Sequence, residues 1–69
     1  MKYEVTARAE NRQTSEMIGD SRTEVIDTKS KLFLNAKTTE DVKRLYESFW
    51  NDINPHSREI VKVQEVQAI

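Results

Sequence analysis

The stretch YEVTARAENRQTSEMIGDSRTEVIDTKSKLFLNA, residues 3–36, decides how this chain is read. Folded back on itself about Gly19-Asp20, its two halves match position by position. Glycine supplies φ > 0 at the first turn position without a Cβ clash, as a type II′ hairpin turn requires. Gly19 is the one glycine of the chain. In that register Ile18 faces Ser21, and a slip of one residue would turn every side chain to the wrong face. One face pairs Tyr3 with Ala36, Val5 with Leu34 and Ala7 with Leu32, all apolar. The other pairs Glu4 with Asn35, Thr6 with Phe33, Glu10 with Lys29 and Arg12 with Asp27. The last two are opposite charges directly across the ladder, worth roughly 0.2–1 kcal/mol each. Thr14 against Val25 also suits a sheet, and Arg8 against Lys31 is the one repulsive pair. The pattern predicts a long hairpin with strands over residues 2–17 and 22–36.

After Ala36 the apolar period changes from two to 3.6. Val42, Leu45, Tyr46, Phe49, Trp50 and Ile53 form one continuous helical stripe. Thr38 reads as the N-cap, Thr38 to Asp41 has capping-box spacing, and Glu40 and Asp41 complement the helix dipole. Glu40 is also one turn from Arg44. Asn54-Pro55 stops the helix, which is predicted over residues 39–53. Ile60, Val61, Val63 and Val66 then mark a third strand over 59–67. Its alternation changes phase between Val63 and Val66, and a bulge near Gln64-Glu65 accounts for the change. The expected fold is α+β, one β-β-α-β domain spanning residues 1–69. Its mainly antiparallel three-stranded sheet has order 2-1-3, with the helix on one face. A parallel place for the third strand beside the second is the alternative.

Lengths then divide the hairpin. A helix of about 15 residues is about 22 Å long, so at about 3.3 Å per strand residue it shields only six or seven residues of each strand. The remainder, residues 10–29, would project as an arm of roughly 25–30 Å, and an isolated two-stranded ribbon is marginal in water. The arm carries Met17, Ile18, Arg22, Val25 and Ile26, which makes these the candidate protein-binding residues. On the uncovered sheet face Phe33 would stand among Arg8, Lys31 and Lys62. An aromatic ringed by cations is how small α+β domains stack single-stranded RNA, so these four are the candidate RNA-binding residues.

Composition narrows the function classes. Sixty-nine residues with a net charge of −1 and 33% charged side chains show no basic stripe of the kind that phosphate binding draws on. Residues 10–29 hold three Lys or Arg against five Asp or Glu, which argues against an arm that enters a DNA groove. No cysteine is present. His56 is the one histidine, so neither a zinc ligand set nor a nucleophile-His-acid constellation can be assembled. A single glycine excludes a phosphate-binding loop. Tyr46, Phe49 and Trp50 read as core, since their spacing is that of the helical stripe. The expectation is a non-enzymatic protein without metal or cofactor. The absence of cysteine and of any apolar run long enough to cross a bilayer points to a cytoplasmic chain with no membrane partner.

The C-terminal half, from Phe33 through Tyr46 to the strand Arg58–Val66, is similar in layout to the small archaeal ribosomal protein of the LX type. That resemblance implies RNA or ribosome contact. This chain departs from it in lacking the strong basic charge of such proteins and in its long Gly19-centred hairpin. Size, the lack of cysteine and the Lys/Asn/Glu/Thr-rich make-up resemble many small phage-encoded proteins, which bind and modulate host factors. Three functions are therefore in view. One is a regulatory module that engages a protein partner through the hairpin arm or a sheet edge. The second is single-stranded RNA or ribosome binding around Phe33. The third is a structural homodimer whose arms pair with each other.

Overall fold

Tyr3, Val5 and Ala7 alternate with polar residues along β1 (Lys2–Asn11), and that pattern makes it the middle strand of the sheet. The computed structural model describes residues 1–53 and 57–69. Strand β2 (Met17–Asp27) lies antiparallel on one side of β1, and β3 (Glu59–Ala68) lies antiparallel on the other, in the order 2-1-3. Between β2 and β3 come a 3-10 turn, Lys31–Phe33, and helix α1 (Thr39–Ile53). The helix packs on one face, mainly against β3. Under it Tyr3, Val5 and Ala7 meet Ala68, Val66 and Val63 across the β1–β3 ladder. Val5 and Val42 are completely buried at the centre.

The helix begins on a reciprocal capping box. The Asp41 N–H donates to Thr38 Oγ1 at 3.2 Å, and the N–H groups of Lys37 and Thr38 donate to Asp41 Oδ2 at 3.0 and 3.2 Å. Arg44 pairs with Asp41 at 3.3 Å, not with Glu40. The Lys37 and Thr38 hydrogen bonds, opposed by partial desolvation, hold the Asp41 carboxyl below its ordinary 3.8. The Lys29 N–H does the same for Asp27. Both contributions are complete above the unfolded value and fade as the pH falls through the lower folded ones. The stop assigned to Asn54-Pro55, and His56, lie outside the described residues.

The phase change in β3 is a bulge. Glu65 faces Thr6 and Val63 faces Ala7, so Gln64 is the extra residue. It restores Val61 and Val63 to the helix face after Val66.

The hairpin differs from the expected one. It turns at residues 12–15, not at Gly19-Asp20, and β1 and β2 pair in the register Tyr3–Ile26, Val5–Glu24, Thr6–Thr23 and Ala7–Arg22. The turn is built by side chains. Asn11 Oδ1 accepts from the N–H groups of Gln13 and Thr14 at 2.9 and 3.1 Å, and the Asn11 N–H closes the loop onto the Glu16 carbonyl at 2.8 Å. Ser15 takes the left-handed φ of 63°. Such an Asx turn does the work of a glycine turn. Gly19 does have positive φ, 71°, but inside β2. There Ala7 faces Arg22 and Ala9 faces Ile18, so residues 19–21 bulge opposite Arg8 alone. A positive-φ glycine serves a bulge as well as a turn.

The shorter register removes the free arm. Glu10 and Asn11 still pair with β3, and the loop docks on its start, where the Arg12 N–H reaches the Arg58 carbonyl at 2.7 Å and Arg12 Nε reaches that of Ser57 at 3.0 Å. The expected pairs Glu10–Lys29, Arg12–Asp27 and Thr14–Val25 do not form. Residues 28–36 leave the sheet instead of extending the second strand. Leu32 and Leu34 are consequently exposed, whereas Phe33 and Ala36 fold into the core beside Tyr3 and Ile26. A ribbon beyond the reach of the helix would bury little. Turning Phe33 inward adds it to the core and packs the 3-10 turn against α1.

Two of the expected core aromatics lie at the surface. Tyr46 is buried, but Phe49 and Trp50 are 39% and 41% exposed and stack edge to face with ring centroids 5.4 Å apart. A helix seated chiefly on β3 uses only the inner part of its stripe, Val42, Leu45 and Tyr46.

Phe33→Ala should cost about 3–5 kcal/mol, the usual loss for emptying a buried aromatic site. Leu34→Ala, exposed one residue later, should stay within about 0.5 kcal/mol. Urea denaturation of both variants checks the placement, and equal stability would restore Phe33 to the surface.

Candidate functional site

A three-stranded sheet of order 2-1-3 has two edges, and here they are treated differently. The direction of backbone groups follows from the ladder ends. The Thr28 N–H donates to the Met1 carbonyl at 3.0 Å, and the Ile69 N–H to the Lys2 carbonyl at 2.9 Å. Because hydrogen-bonded and non-hydrogen-bonded pairs alternate in antiparallel ladders, Arg22, Glu24 and Ile26 turn their backbone groups toward β1. Thr23 and Val25 turn theirs outward. On β3, Val61 and Val63 turn outward by the same alternation.

The β3 edge is occupied at Val61 and Val63 by side chains of α1. Asn51 donates through Nδ2 to the Val61 carbonyl at 3.2 Å and accepts the Val61 N–H on Oδ1 at 2.8 Å. Glu47 Oε2 accepts the Val63 N–H at 2.8 Å. The amide of Asn51 thus pairs with Val61 as a neighbouring strand would. Among the described residues nothing bonds the outward groups of Thr23 and Val25. An edge with unpaired N–H and C=O groups is a template for another chain.

Beside that free edge, on the helix side, lies an open cleft of about 670 Å3. The β2 bulge forms its floor, and Ile18, Arg22, Glu24, Tyr46, Trp50 and Val61 line it. The cleft exists because α1 sits over β3 and leaves this part of β2 uncovered. Tyr46 donates its phenol to Glu24 Oε2 at 3.0 Å. Burial and that bond push the phenol above its ordinary value of 10.0. No ion pair holds Arg22 among the described residues. Exposed Phe49 and Ile53 continue the apolar surface along α1 from Trp50.

Of the five candidate contact residues, the fold brings Ile18 and Arg22 together in this cleft. Exposed Met17 and Val25 face Glu10 and Glu4 on the opposite side of the sheet, and Ile26 belongs to the core against Tyr3. Trp50 carries the most conspicuous exposed ring of the site, and its helical spacing disguised it as core.

The four candidate RNA-binding residues are not brought together. Phe33 is 4% exposed and Lys31 sits in the 3-10 turn off the sheet. Arg8 and Lys62 do face each other on the open side. Arg8 is committed to Glu10, a buried carboxylate that it holds at 2.6 Å. On the same face Ser21 Oγ donates to Gln64 Oε1 at 2.5 Å, which joins the β2 and β3 bulges across β1.

Among the described residues no group of three or more His, Cys, Asp or Glu could hold a metal ion, and no helix is long and apolar enough to cross a membrane. In comparisons with known proteins, no family model, curated protein or solved structure matches the chain.

Asn51→Ala should cost about 1–3 kcal/mol by leaving the half-buried Val61 backbone unpaired. Lys43→Ala, on the exposed side of α1, should change stability by less than about 0.5 kcal/mol. Urea melts distinguish them, and an Asn51→Ala variant as stable as the parent would mean that this side chain does not hold the edge.

Proposed function

We propose that this chain is a non-enzymatic binding module that receives a protein partner as an added strand on the outer edge of β2. Strand addition takes affinity from main-chain hydrogen bonds and specificity from pockets for alternate side chains. Thr23 and Val25 would supply the first. The cleft walled by Ile18, Arg22 and Trp50 would receive side chains that the incoming strand directs to the helix side. The observation that carries this reading is the asymmetry at this end of the sheet: Asn51 and Glu47 bond the outward groups of Val61 and Val63 on β3, and nothing among the described residues bonds those of Thr23 and Val25 on β2. Size and composition favour a small regulatory partner of a larger factor, of the phage type, acting in the cytoplasm. Single-stranded RNA or ribosome binding is not carried forward, because the aromatic that would stack bases lies in the core.

Thr23→Pro tests the reading, since it removes an outward N–H while leaving the ladder to β1 intact. Capture of partners from lysate by the parent should fall at least about tenfold in this variant, a loss of about 1.4 kcal/mol. Trp50→Ala should weaken capture through the cleft. Equal capture by the parent and both variants, each folded by circular dichroism, would overturn the proposal.

A further inference from the structure

We infer that the strand added to β2 is the β2 of a second copy, paired antiparallel about a two-fold axis through Thr23. The inference rests on the reading of β2 as an edge open to strand addition and names its occupant. Only residues with outward backbone groups can pair across the new seam, so Thr23 and Val25 must face outward groups of the other strand. That restricts a symmetric pairing of β2 to registers centred on a residue rather than between two.

Charge selects among these registers. Arg22 and Glu24 lie on the helix side of the sheet, opposite Ala7 and Val5. Centring on Arg22 or on Glu24 sets that charge against its own copy, which is destabilising. Centring on Val25 sets Glu24 against Ile26. Centring on Thr23 sets Arg22 against Glu24 of the second copy, and by symmetry Glu24 against Arg22, as an isologous contact demands. Thr23 then meets Thr23, and Val25 meets Ser21, both on the open side. The strand is thus charge-complementary to itself in one register. Its Arg22 has no ion-pair partner within the chain among the described residues.

The result is a continuous six-stranded sheet with both helices on one face. The two clefts lie side by side between the helices, with Trp50 of each copy on the outer walls. Residues 19–21 face residues 25–27 in this register and limit the regular pairing to Arg22–Glu24 on each strand, well short of the area in a standard stable interface. The association is therefore weak and concentration-dependent.

Sedimentation equilibrium across a wide concentration series tests this on the intact chain. The parent should move from monomer toward dimer as concentration rises. Arg22→Glu and Glu24→Arg each create two like-charge contacts and should weaken dimerisation at least tenfold. Mixing these two variants one to one, or combining both changes in one chain, restores the complementary pairs and should restore the dimer. The chain has no cysteine, so Thr23→Cys provides an independent readout. Its Cα atoms would lie about 5.5 Å apart across the axis, within disulfide reach. Mild oxidation should therefore cross-link Thr23→Cys faster than Val25→Cys. A parent chain that stays monomeric throughout would overturn the inference, as would a dimer indifferent to the charge changes and cross-linked no faster at position 23. If the chain stays monomeric while Thr23→Pro still abolishes lysate capture, the occupant is a different protein and the binding role of β2 survives.

Discussion

Asn51 and Glu47 tie α1 to the outer edge of β3, and the rest of the molecule is arranged around that attachment. The helix could have centred itself over the three strands and covered all of them thinly. Bonded to Val61 and Val63, it lies instead to one side. Three consequences follow from this one constraint. The β3 edge is taken up at Val61 and Val63. The part of β2 beyond the helix is left bare, which opens the cleft. Phe49 and Trp50 run past the covered part of the sheet and stand in solvent. Phe33 and Ala36, in the connection before α1, complete the core beside the helix.

Much of this architecture is legible in the residues. The helical stripe from Val42 to Ile53 and the Thr38–Asp41 box are local signals, and each depends on neighbours within one or two turns. The phase change between Val63 and Val66 likewise announces the Gln64 bulge, because alternation cannot skip a residue without one. The strand order follows from having one long apolar-alternating strand to serve as the middle. The hairpin is harder to read. Gly19 announces positive φ, yet a bulge and a turn both require it, and an Asn11 Asx turn with Ser15 in the left-handed region can reverse the chain with no glycine at all. The mirrored pairs about Gly19 were chemically sensible and still lost. The shorter register buries Phe33, whereas the longer one would have left a bare ribbon.

The site was less legible than the fold for a related reason. Exposure of Trp50 is set by where the helix lies, and that position depends on hydrogen bonds from Asn51 and Glu47 to a strand distant in sequence. Helical spacing cannot separate the covered residues of a stripe from those that overrun the sheet. The same holds for Ile18 and Arg22: their membership of one surface needed the bulge at residues 19–21, whereas Ile26 and Phe33 needed the true register to be recognised as core. That the sheet would present exposed edges was readable in outline. Which of the two edges is free was not, since side chains of α1 decide it.

Amide hydrogen exchange at low protein concentration tests the edge assignment most directly. Val61 and Val63, although on an outer strand, should be protected to a degree comparable with Arg22 and Glu24, which bond to β1. Thr23 and Val25 should exchange rapidly, so that fast and slow amides alternate along β2. Uniform protection along β2, or exchange at Val61 and Val63 as fast as at Thr23, would contradict the contrast between the bonded stretch of β3 and the open edge of β2.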